Sequence, residues 1–149
     1  MTTDDDPIFV DTNILVYCMQ LHSPFHQTAK VAIERQFQKA NELCISRQII
    51  REFLSTMTRA ELTVPKPNFD DVADRVESFP IFFRIFGEGT QVTSRLLSLV
   101  RSHHCAGKQI HDANIVATML AHGISKLLTH NVADFNRYSG LIEVVPLIP

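Results

Sequence analysis

Short, wholly apolar runs alternate along the chain with longer segments whose apolar residues recur at helical spacing. Pro7-Ile8-Phe9-Val10 is the first such run, and runs of this kind suit a strand buried on both faces of a parallel sheet. It stops at Asp11-Thr12-Asn13. These residue types cap helices, so Ile14 to Gln20 is predicted to be helical. His26 to Glu42 spaces Ala29, Ala32, Ile33, Phe37 and Ala40 like a surface helix. Leu43-Cys44-Ile45 reads as a second strand ending at Ser46. Ser46 can cap a helix whose core face carries Ile49, Ile50, Phe53, Leu54 and Met57.

Val64-Pro65-Lys66-Pro67 breaks the chain, because prolines cannot continue a helix. Phe69 to Phe79 is predicted as an acidic helix with Val72, Val76 and Phe79 turned inward. Ile81 to Phe86 reads as a third strand, with Phe82, Phe83 and Phe86 assigned to the sheet core or a dimer interface. Thr90 to His104 follows as a helix with Gly107 as its stop, then Ile110 to His122 as a helix ended by Gly123. Lys126 to Thr129 and Ile142 to Leu147 complete five strands. Strands alternating with helices predict an α/β fold with a mostly parallel sheet. In such sheets ligands sit beyond the carboxyl ends of the strands.

The 149 residues match one domain, 1–149, with Met1 to Asp6 as a frayed tail. At 45% hydrophobic residues the chain can build a core without staples. A net charge of −2 argues against coating nucleic acid or an anionic membrane by bulk charge, while leaving room for a local RNA or DNA site. No run reaches membrane-span length, and the acidic start is unlike a signal peptide. Cys18, Cys44 and Cys105 are odd in number and form no Cys-x-x-Cys pair. Reduced cysteines in a cytoplasmic protein are the expectation, with neither a disulfide framework nor a zinc site.

Asp11 directly follows the first strand, Glu52 lies in the helix after the second, and Asp112 opens the helix before the fourth. Asn131 and Asp134 follow that fourth strand. Order and topology therefore bring several acidic or amide side chains toward one sheet edge. Each has an ordinary reading as well. Asp11 can be a helix cap, Glu52 a solvated glutamate, and Asp134 a turn residue. Asp112 can simply be a first-turn acid favoured by the helix dipole. Yet Ile115, Val116 and Met119 lie within about 60° of Asp112 around a helix. A carboxylate on an apolar face needs a cation, hydrogen bonds or a proton. Oxygen ligands without cysteine or paired histidine favour Mg²⁺ or Mn²⁺, which suits metal-assisted phosphodiester hydrolysis.

These residues resemble the PIN-domain nucleases, in particular the VapC-type toxins of bacterial toxin–antitoxin pairs. The resemblance spans Ile8 to Pro149. Phe9 to Tyr17 is similar to the family's first motif, Ser46 to Leu54 to its second, Ile110 to Ala117 to its third, and Leu127 to Phe135 to its fourth. Many family members carry aspartate two residues after the threonine of the fourth motif, where this chain has Asn131. Asp134 can supply the missing charge.

The resemblance implies a three-layer α/β/α sandwich and an endoribonuclease that uses one or two Mg²⁺ or Mn²⁺ ions. It also implies a cytoplasmic homodimer and a cognate antitoxin whose basic segment blocks the acidic site. In this reading Asp11 and Asp112 hold the metal, and Glu52 and Asp134 complete the site or orient a water. Thr129, Asn13 and Asn131 support them from behind. Hydrolysis would leave 5′-phosphate and 3′-hydroxyl ends. Arg47, Arg51, Lys108, His130 and Arg137 are candidate RNA contacts. A metal-free route through His111 and His130 would instead use the ribose 2′-hydroxyl. Two further alternatives stay open: a housekeeping nuclease for RNA maturation, and a non-catalytic module that binds RNA or protein, which Asn131 keeps in play. The compact chain favours the toxin.

Overall fold

The computed structural model describes residues 5–39, 41–59 and 66–149. Residues 1–4 of the expected tail, Ala40, and Val64 and Pro65 of the expected chain break lie outside the described residues. Five parallel strands, β1 (Ile8–Val10), β2 (Leu43–Ser46), β3 (Arg84–Phe86), β4 (Lys126–Thr129) and β5 (Glu143–Pro146), form one sheet in the order β3-β2-β1-β4-β5. The helices are α1 (Thr12–Met19), α2 (His26–Gln38), α3 (Arg47–Met57), α4 (Phe69–Phe82), α5 (Thr90–His103), α6 (Gln109–Ala121) and α7 (Val132–Phe135). A 3-10 turn, Asn136–Tyr138, follows α7.

The strand order explains the layering. The chain steps from β1 outward through β2 to β3, then returns to β4 and steps to β5. Parallel crossovers are right-handed, so reversing direction moves the helices to the other face. The contacts agree: α1 packs on α2 and α3, α3 packs on α4, and α5 packs on α6. The result is an α/β/α sandwich around wholly buried central strands, with Ile8, Phe9, Val10, Leu127 and Leu128 in the core. The direction reverses between β1 and β4, and open parallel sheets form their ligand crevice at that point.

Local sequence fixes several of the element ends. Ser46 caps α3 by accepting from the Ile49 amide. Gly123 adopts a left-handed φ of 71° after α6. The Ile124 amide then reaches back to the Met119 carbonyl at 2.9 Å, closing the helix and sending the chain into β4.

Several expectations need correction. The run Ile81–Phe86 is not one strand, because α4 continues through Pro80 to Phe82 and only Arg84–Phe86 pairs with β2. Pro80 has no amide to donate to the Val76 carbonyl, so α4 gives up one bond in its last turn, yet the Phe83 amide still closes on the Phe79 carbonyl at 2.8 Å, and β2 offers pairing for only three residues. Ile81 and Phe82 are exposed on the helix end, so Phe82 is not sheet core, whereas Phe83 and Phe86 are buried. The stop of α5 is His104, not Gly107: His104 takes the left-handed conformation at φ 52°, and Gly107 supplies a second positive φ in the turn before α6. The expected helix to Glu42 ends at Gln38, and the short helix α7 falls where no element was predicted.

Candidate active site: an acidic cavity at the β1–β4 crevice

The Asp11 amide donates to the Leu128 carbonyl at 3.0 Å, extending the β1–β4 pairing by one residue and placing the Asp11 side chain at the crevice. Asp11 is also the cap of α1, accepting from the Thr12 amide through Oδ1 at 2.7 Å. Its other oxygen accepts from Thr129 Oγ1 at 2.7 Å and from Asn13 Nδ2 at 3.3 Å. Thr129 is wholly buried at the end of β4, and Asp11 is only 6% exposed. Burial pushes the Asp11 carboxyl up to about 6 although three donors favour its ionised form, and the Glu52 charge adds to the rise.

Glu52 comes from α3. It accepts from Thr12 Oγ1 at 2.7 Å and from Gln48 Nε2 at 3.0 Å. Gln48 is buried and joins two helices: its amide nitrogen also donates to the His111 carbonyl, and its oxygen accepts from Asn114 Nδ2. This amide therefore ties the helix bearing Glu52 to the one bearing Asp112. Asp112 lies half-buried in the first turn of α6, above buried Ile115, Val116 and Met119, as the helical spacing predicts. Its carboxyl is pushed up to about 6 by burial first, then by the charges of Asp134, Asp11 and Glu52.

A cavity of about 420 Å³ is lined by Asp11, Thr12, Asn13, Tyr17, Glu52, Arg59, Asp112 and Asn131, among others. Asp134 is not part of that lining. It sits exposed on α7 and shares with Asp112 an adjoining cavity of about 100 Å³, together with Arg137 and Tyr138. The structure thus gathers Asp11, Glu52 and Asp112 around one space and sets Asp134 behind Asp112. A somewhat roomier cavity of about 480 Å³ between α1, α2 and α4 is mostly apolar and includes none of these carboxylates.

Among the described residues, no three His, Cys, Asp or Glu side chains form a ready-made metal-holding group. The donor chemistry nevertheless fits a hard cation. All the donors are oxygens, and two carboxyls are raised by burial and by neighbouring negative charge. A positive ion would relieve both effects. Mg²⁺ binds through one or two carboxylates and keeps several waters, so a complete protein cage is not required.

The expected cationic contacts fare differently. Arg51 is paired with Glu88 at 3.3 Å, and Arg47 and Lys108 are exposed. Neither these three nor His130 lines the acidic cavity, whereas Arg59 does. Gln48, Thr12 and Arg59 were not singled out in the sequence. Gln48 stands four residues before Glu52, the spacing that places two side chains on one helix face. That spacing is a signal that could have found it.

A model of the PIN domain matches residues 8–141 of the chain. Ribonuclease VapC48 of Mycobacterium tuberculosis is 28% identical over 137 residues, covering 88% of this chain and 91% of that protein. Among solved structures, VapBC-1 from nontypeable Haemophilus influenzae aligns with a TM-score of 0.66 at 17% identity, over 95% of this chain and 98% of that one. VapC20 of M. tuberculosis, described as a sarcin-ricin loop cleaving toxin, aligns with a TM-score of 0.64 at 18% identity, over 93% and 99%.

Proposed function

The chain belongs to the PIN-domain family, and from that premise we propose that it is a metal-dependent endoribonuclease, the toxin of a toxin–antitoxin pair. The observation that carries the reading is the cavity at the β1–β4 crevice, where Asp11, Glu52 and Asp112 face one space. Asp11 and Asp112 would hold a Mg²⁺ or Mn²⁺ ion, with Glu52 beside them and Asp134 adding charge from behind. A divalent ion bound there supplies neutralisation of the phosphate charge and activation of water.

The remaining work belongs to the side chains. Thr129 and Asn13 fix one Asp11 oxygen and the Thr12 amide fixes the other, so the carboxylate is oriented before anything binds. Thr12 and Gln48 hold Glu52 in the same way, leaving it placed to orient a water for in-line attack. Asn131 lines the cavity as a neutral side chain, at the position where the motif resemblance leads to an expected carboxylate. Asp134 weighs on Asp112 more than any other charge. This supports Asp134 as a negative charge felt at Asp112, the part expected of it beside Asn131.

Arg47, Lys108 and Arg59 would meet the RNA backbone near the cavity, with Arg51 engaged by Glu88. The partner would be an antitoxin that places an arginine among the carboxylates, where a guanidinium satisfies the same charge as the ion. Support comes from the structural relatives, which include complexes of toxin with antitoxin. Homodimer formation is part of the same proposal, and light scattering tests it.

The deciding experiment is cleavage of total RNA by the purified chain with Mn²⁺ or Mg²⁺, with and without chelator, beside Asp112→Asn. Metal-dependent cutting lost in the variant is the expected result. Cutting that survives chelator would overturn the mechanism and favour the histidine route. A chain that neither cuts RNA nor binds metal would be a binding module.

A further inference from the structure

Three rings gather at the rim of the acidic cavity, and the hydrolytic machinery uses none of them. Tyr17, on α1, lines the cavity itself. Phe25 precedes α2, and His130 follows β4. The Phe25 and His130 ring centres are 4.5 Å apart with planes inclined at 60°, and Phe25 and Tyr17 are 5.0 Å apart at 42°. The Tyr17 hydroxyl lies 2.8 Å from His130 Nδ1.

The cluster is held rigidly against the site. The His130 amide donates to Asn13 Oδ1 at 3.2 Å, and the Asn13 amide group reaches Asp11 at 3.3 Å. His26 Nδ1 is 2.9 Å from the Tyr17 carbonyl, which ties the start of α2 to α1. All three rings are only half-buried. Core aromatics such as Phe9 and Phe53 are fully enclosed instead. Aromatic surface kept partly open, fixed in place and set beside a phosphate-handling site is the arrangement that stacks the bases of a single strand.

We propose that Tyr17, Phe25 and His130 form a subsite that stacks the nucleobase next to the scissile phosphate of a single-stranded RNA. The inference rests on the nuclease reading and adds the strand's base contact to it. Stacking is tolerant of base identity, so this subsite positions the strand and governs KM more than kcat.

The test couples a ring-removing variant to a base-removing substrate. Wild-type protein, Phe25→Leu and His130→Ala are assayed on a mapped single-stranded RNA and on copies made abasic on either side of the cut. On intact RNA the variants are expected to raise KM roughly 10-fold, with kcat changed far less. On the RNA lacking the stacked base, variants and wild type should converge. An equal penalty on intact and abasic RNA would overturn the proposal, since a packing role has no reason to depend on the base.

A second arm needs no turnover. A short RNA carrying 2-aminopurine is added to the wild-type and Phe25→Leu proteins in chelator. Quenching with wild type that is lost in the variant supports the subsite, and no quenching by either refutes it. Failure of the nuclease reading would show separately, as no cleavage of any RNA by the wild type with metal present.

Discussion

Replacing Asp11 by asparagine should stabilise the metal-free protein at neutral pH while abolishing its activity. The carboxyl is raised from the usual 3.8 to about 6, with burial as the largest cause. Between those values the native protein keeps a proton that the unfolded chain has released, so stability falls as pH rises through that window. The difference corresponds to about 3 kcal/mol by the time Asp11 is fully ionised. Asparagine has nearly the same shape and carries no charge, so it escapes this cost. It brings a penalty of its own, because its amide meets Asn13 Nδ2, and Asn13 cannot turn over without losing the His130 amide. That mismatch costs about 1 kcal/mol. Asp11→Asn should therefore be the less stable protein near pH 3 by about 1 kcal/mol and the more stable one at pH 8 by about 2 kcal/mol. Urea unfolding of both proteins in chelator at the two pH values reads the crossover. A stability gap that stays the same at both pH values would refute the reasoning, because it would mean the buried carboxylate costs the fold nothing.

The same electrostatics predicts metal affinity. Protons compete for Asp11 and Asp112, both raised to about 6. Mn²⁺ affinity measured by calorimetry should fall roughly 10- to 100-fold from pH 7 to pH 5, and a flat profile would exclude these two groups as the ligands. Gln48→Leu removes the partner of Glu52, the His111 carbonyl and Asn114 together. It should cost roughly 2 kcal/mol or more in urea unfolding and lower kcat with little change in KM, and wild-type kinetics would show that Glu52 needs no such holder. Phe53→Ala empties a fully buried position against Phe79, whose ring centre is 5.2 Å away. It should lose about 3–5 kcal/mol of stability. Arg51→Ala breaks only an exposed pair with Glu88 and should shift stability by less than about 1 kcal/mol.

Cys44 and Cys105 are buried. Burial pushes the Cys44 thiol up to about 12, the opposite of an activated nucleophile. His103 and His104 occupy the end of α5, with His104 turned into the left-handed conformation, so they do not pair across one helix face. No helix among the described residues is long and apolar enough to cross a membrane.

The sequence by itself determined the parts of this protein that depend on near neighbours. Apolar runs placed four of the five strands closely, caps at Asp11 and Ser46 set two helix starts, and helical spacing put Asp112 above a buried face. These features follow from backbone geometry and from burial patterns a few residues long. Tertiary structure decided what depends on residues far apart. The length of β3 was set by its partner β2, so α4 could run past Pro80 into a segment that reads as strand. The support of Glu52 came from Thr12, 40 residues away, and that of Asp11 from Thr129, 118 residues away. The raised carboxyls arise because strand order brings separate segments to one crevice, where charges that the sequence scatters must share one partly buried space.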